Sequence, residues 1–221
     1  MRPNFWQKIV SYLGEWVIER VESRFSGKLT LGVWKGRYVL SSANAVYSHE
    51  DLYYNFRAVF AQIKLGFENM LVLGAGLGSV PLILEKIHKQ KSTYTLVEID
   101  PIIVNLCQKY ALPNLLSPCE LLQADAAVFV QNCNQKFDCI VIDIFIDAQT
   151  PNQFASIEFL QAAKACLTPN GVLLFNQFAT NEAQERSNTE YFQAIFQPVF
   201  AQASVCKIAN NNILCSHFYP F

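Results

Sequence analysis

Three carboxylates end or follow three strand-like runs of this 221-residue chain. Glu98 closes Leu96-Val97-Glu98, Asp125 follows Glu120 to Gln123, and Asp143 closes the strongly apolar run from Phe137 to Ile142. At the carboxyl ends of parallel strands, such acids face the crevice where ligands bind. Upstream lies Met70-Leu71-Val72-Leu73-Gly74-Ala75-Gly76-Leu77-Gly78-Ser79-Val80-Pro81, a buried strand, a tight turn and a helix start. Gly74, Gly76 and Gly78 let the backbone turn sharply and a ligand approach it. Glu98, about 20 residues further on, could accept both hydroxyls of a ribose. Asp125 could accept from an adenine amino group, or simply cap a helix. Asp143 projects where a reacting centre should be. Asp100, followed by Pro101, reads as a helix cap.

The spacing G-x-G-x-G is not the dinucleotide fingerprint, which would need glycine at Ser79. No Walker lysine follows the turn either. The three acids therefore describe a nucleoside pocket without a phosphate cradle, and on such a sheet that points to S-adenosylmethionine.

These residues must be held by alternating strands and helices. Strand signals at Met70–Leu73, Tyr94–Ile99, Glu120–Gln123, Phe137–Asp143 and Val172–Phe175 are separated by helical ones. The pattern predicts an α/β, Rossmann-like, mostly parallel doubly wound sheet. Ala203–Ile208 and Ile213–Phe218, flanking Ala209 to Asn212, would add an antiparallel hairpin at one edge. The cap-plus-proline pair Thr150-Pro151 predicts a helix to Cys166, and Asn181–Phe196 another. Residues 1–47 read as a separate N-terminal unit, with a short helix bearing Phe5, Trp6, Ile9 and Leu13, then strands Val17–Phe25, Leu29–Trp34 and Tyr38–Leu40. This antiparallel unit is too small for its own core and should lean on residues 48–221. Ser48 reads as an N-cap, with Glu50 and Asp51 in the first turn of a helix that Gly66 closes.

A formal net charge of −1 leaves no basic footprint for nucleic acid. Seven scattered cysteines without C-x-x-C spacing read as free thiols in a reducing cytoplasm, and no metal site is expected. No apolar run reaches the ~18 residues of a membrane span, and the first residues do not read as a secretion signal.

In the order of these segments the chain resembles a class I S-adenosylmethionine-dependent methyltransferase domain, and more narrowly the spermidine synthase family. That resemblance implies that the glycine turn lines the methionine end of the cofactor. It gives Glu98 the ribose, Asp125 the adenine, and Asp143 a place beside the acceptor nitrogen. It also implies a tyrosine that helps hold a small-molecule acceptor, Tyr54 by spacing with Tyr53 as rival, and leaves a homodimer open.

Two departures stand out. The family turn carries an Asp that pairs with the free ammonium of decarboxylated S-adenosylmethionine, and here that position is Leu77. The family's D-[ST]-[ST]-D-P becomes Asp143-Ile144-Phe145-Ile146-Asp147-Ala148. From these changes the expected activity is methyl transfer from S-adenosylmethionine to a small acceptor, with Asp143 orienting the nucleophile. Aminopropyl transfer to a polyamine is the alternative. A non-catalytic adenosyl-binding or scaffold protein is the third reading.

Overall fold

Each central strand puts alternate residues on opposite faces, and both faces are apolar. On β5 (Asn69–Leu73), Met70 and Val72 enter one hydrophobic cluster while Leu71 and Leu73 enter another. A strand buried on both faces needs helices above and below it, which is the arrangement of a parallel sheet. The computed structural model shows this arrangement, and describes residues 2–43, 45–146 and 149–217.

The large sheet contains β5, β6 (Thr93–Glu98), β7 (Cys119–Gln123), β8 (Phe137–Ile142), β9 (Leu167–Phe178), β10 (Ser204–Ile208) and β11 (Asn211–Cys215). Its order is β10-β11-β9-β8-β5-β6-β7. Strands β5 to β9 pair in parallel, and β10 and β11 form the antiparallel edge. The chain leaves β5 towards β6 on one side and returns to β8 on the other. The ends of β5 and β8 therefore flank the switch point at which such sheets bind ligands.

The four-stranded sheet is β1 (Trp16–Ser23), β2 (Gly27–Trp34), β3 (Arg37–Ser41) and β4 (Val46–Ser48), in that order. Leu29, Leu31, Val33, Tyr38 and Leu40 join the same cluster as Met70, Val72 and the helices over that face. The N-terminal strands thus share a core with the large sheet.

Several expected helix limits move. Ser48 caps nothing: its Oγ lies 2.6 Å from Ser79 Oγ. Glu50–Leu52 is a 3-10 turn, and α2 of the structure, counting α1 as Phe5–Val10, runs Tyr54–Phe60. Glu50 and Asp51 serve no helix dipole. They are buried beside Arg37 and Lys86, with Asp51 2.6 Å from Arg37 and Glu50 2.7 Å from Lys86. The glycine turn leads into α3 (Ser79–Lys86), and Asp100 caps α4 (Pro101–Leu106) as expected. After α5 (Ala126–Asn132), Thr150-Pro151 opens no α-helix; a 3-10 turn at Asn152–Ala155 precedes α6 (Ile157–Ala165), capped by Ser156. The next helix, α7 (Glu182–Tyr191), passes into a π turn at Phe192–Phe196, and the edge hairpin turns on Ala209 and Asn210 rather than four residues.

Candidate active site

A cleft lies over the carboxyl ends of β5, β6 and β8, with about 930 Å³ of empty space counting its mouth. Its floor is the glycine turn. Gly74 has φ +92°, and a Cβ there would collide with the Asp143 carbonyl oxygen. The two strand ends can touch only because this residue is glycine. Gly76, at φ +49°, also lines the cleft, and a Cβ there would press 3.2 Å from the Tyr47 carbonyl oxygen. Gly78 is different: it is the left-handed residue before α3 and does not line the cleft.

Glu98 sits at the end of β6 inside the cleft. Its Oε1 accepts the Asp100 backbone N–H at 3.1 Å, and its Oε2 accepts that of Gly76 at 3.4 Å. Burial pushes its carboxyl up to about 7, although those N–H groups favour the charged form. Asp143, at the end of β8, behaves alike. Burial raises it to about 7, while an Asn176 amide donating at 2.8 Å and the Tyr53 hydroxyl pull it down.

Asp125 does not line the cleft. Its Oδ1 caps α5, accepting from Ala127 at 2.7 Å, and its Oδ2 takes Gln153 Nε2 at 3.4 Å. Its neighbours Ala124 and Ala126, and Gln153 itself, form that end of the wall. Capping thus uses Oδ1, and Oδ2 faces the cleft-lining Gln153.

Tyr54 is 59% exposed and lies away from the cleft, whereas Tyr53 is 8% exposed and turned to Asp143. The 3-10 turn before α2 shifts the helix start, so Tyr53 takes the inward position that spacing alone gives to Tyr54. Four further contributors were not anticipated. Phe25, Ser26 and Tyr47 reach the cleft from the N-terminal sheet. Asn176 is the fourth, and a polar residue within the apolar run of β9 was the available signal for it.

Ile144, Phe145 and Ile146 form an apolar rim, with Phe145 edge-on to Phe178 at 4.5 Å between ring centres. Asp147 lies outside the described residues. Among the described residues, no lysine, arginine or histidine lines the cleft, and no group of three or more His, Cys, Asp or Glu is placed to hold a metal. No helix among them is long and apolar enough to cross a membrane.

Residues 58–210 match the family described as the spermine/spermidine synthase domain. A polyamine aminopropyltransferase of Vibrio vulnificus is 30% identical over 127 residues, 56% of this chain and 42% of that protein. The chain spans about two fifths of the length of the curated relatives it matches. Among solved structures, a probable spermidine synthase from Corynebacterium glutamicum covers 89% of this chain and 78% of its own, with TM-score 0.69 and 18% identity. A spermidine synthase in complex with the transition-state analogue AdoDATO covers 90% and 72%, with TM-score 0.68 and 18% identity. At that identity the two structures speak for the fold.

The expectation of methyl transfer is corrected by these relatives, which are named for aminopropyl transfer. Leu77, at the position where the family turn carries its Asp, is fully buried in the core and does not line the cleft.

Proposed function

This chain belongs to the spermine/spermidine synthase family, and on that premise we propose that its cleft transfers an aminopropyl group from decarboxylated S-adenosylmethionine to an amine of the polyamine class. One observation carries the reading: two desolvated carboxyls, Glu98 and Asp143, share a cleft with no basic side chain among its described lining residues. A carboxyl held near 7 by burial is stabilised as an anion by any cation that enters. The decarboxylated donor and the acceptor are both cationic. Ordinary S-adenosylmethionine would add a carboxylate, and no basic side chain among the described lining residues awaits it.

The residues fit such a donor. Gly74 and Gly76 line the cleft floor, Glu98 offers two acceptor oxygens, and Ile99, Ile103 and Phe154 supply apolar walls. When bound, the donor supplies a sulfonium whose neighbouring methylene is already electrophilic. The protein has to orient the acceptor, remove a proton and exclude water. Asp143, at the β8 end, holds the acceptor nitrogen and takes the proton that it loses as the new C–N bond forms and the C–S bond breaks. A carboxyl that titrates near 7 is suited to accepting a proton at neutral pH. Tyr53 donates to Asp143 and keeps it in place. The apolar rim accommodates a methylene chain.

The test is calorimetry with both forms of the donor, followed by incubation with the decarboxylated form and putrescine. Binding should favour the decarboxylated form, and spermidine should appear. Asp143→Asn should lower the rate by about 100-fold or more while retaining donor binding. Equal or tighter binding of the carboxylated form, or no spermidine, would count against the reading.

A further inference from the structure

Asp143 is the first member of a longer hydrogen-bond chain. Asn176, on β9, donates Nδ2 to Asp143 Oδ1 at 2.8 Å. Its own Oδ1 accepts Asn211 Nδ2, from β11, the strand between β10 and β9, at 2.9 Å. Both amides are buried. A primary amide has a donor end and an acceptor end, so its rotation decides which one it offers. Because Asn211 donates to the Asn176 oxygen, only the NH₂ end of Asn176 remains for Asp143. The other groups acting on the Asp143 carboxyl are Tyr53, a second donor, and Glu98, a second acid.

We propose that Asn211 is a positioning residue: through Asn176 it keeps a hydrogen-bond donor aimed at Asp143 and so holds that carboxyl ready to receive a proton. The role in transfer rests on the function proposed above, but the chain itself can be tested without turnover.

If the Asn211 donor is removed, Asn176 is free to turn its carbonyl towards Asp143. A protonated Asp143 could then donate to it, which favours the neutral acid. Asn211→Asp, equal in shape, goes further. A carboxylate at that position demands the NH₂ end of Asn176 and leaves its oxygen facing Asp143. Both Asn211→Ala and Asn211→Asp should therefore raise the midpoint of Asp143.

The experiment is a carbon-13 titration of the aspartate carboxyls in the full, ligand-free chain, with the Asp143 signal identified by its loss in Asp143→Asn. A rise of about one pH unit is expected, near the worth of one charge-assisted hydrogen bond. That lowers the ionised fraction at pH 7 about fivefold. The acid limb of the transfer rate should move by the same amount. Far-ultraviolet circular dichroism checks that each variant folds, and the isosteric Asp variant serves if the Ala variant does not. Unchanged midpoints in the folded variants overturn the proposal, even if rate or melting temperature falls. A midpoint that moves in a chain that transfers nothing supports the relay and counts against the transfer reading.

Discussion

At the residue scale, Glu98 and Asp143 are costly to bury, and the cost has a pH signature. Both titrate near 7 in the folded chain because burial disfavours their charged forms. In the unfolded chain such carboxyls release their protons near pH 4. Between about pH 4 and 7 the folded chain therefore binds more protons than the unfolded one, and the stability that these acids allow is lost as pH rises through that window. Asp143→Asn should match the parent's stability near pH 4. By pH 8 it should exceed it by roughly 1–3 kcal/mol, as measured by urea unfolding at each pH. A difference that stays flat with pH would mean that Asp143 is not desolvated. The acids were legible because each ends or follows a short apolar run, where an unpaired charge has no structural use. Tyr53 was not, because its inward position depends on a single turn of 3-10 helix containing Glu50 at φ +40°. Nothing in local spacing encodes that turn.

At the element scale, the N-terminal sheet supplies part of the cleft wall by a specific tether. Asp100 caps α4 with Oδ1 and accepts from Ser23 Oγ at 2.5 Å and Ser26 Oγ at 2.8 Å with Oδ2. Ser23 Oγ in turn accepts the Phe25 N–H at 3.0 Å. One carboxylate thus fixes both a helix start and the β1–β2 turn that carries Phe25 and Ser26 over the site. Ser23→Ala should cost about 1 kcal/mol of stability and weaken binding of the decarboxylated donor by roughly tenfold, as read by calorimetry. Unchanged affinity would show that the turn does not help form the bound wall. The sequence showed this turn between two strands, and it showed Asp100 as a cap. It could not show that the two meet, since they are far apart in the chain. The same limit explains Glu50 and Asp51. Beside Ser48 they imitate a helix start, and their partners Arg37 and Lys86 come from other elements.

At the scale of the whole molecule, the question is whether the two sheets unfold together. They share one hydrophobic cluster, and Arg37 from β3 and Lys86 from α3 meet at Asp51, at 2.6 Å and 3.1 Å. Burial would raise Asp51, but the Arg37 hydrogen bond and Lys86 outweigh it and hold its carboxyl below the usual range. Its contribution is therefore present above about pH 4 and lost as pH falls below that. The sequence provides a probe for each part. All three tryptophans, Trp6, Trp16 and Trp34, lie before residue 48, so their fluorescence reports the N-terminal unit alone. Far-ultraviolet circular dichroism is dominated by the helices on the large sheet. At pH 7 the two signals should melt at one temperature, because neither part can open without exposing the shared core. Asp51→Ala leaves Arg37 and Lys86 to share only Glu50, at 3.9 Å and 2.7 Å, and so weakens the link between β3 and α3. Losing one partner of a buried ionic cluster costs about 3 kcal/mol, less here because Arg37 and Lys86 each keep part of their exposure to water. The fluorescence midpoint should then fall below the dichroism midpoint, and the parent chain at pH 3 should separate in the same sense. Coincident transitions in both cases would mean that the apolar core alone couples the sheets.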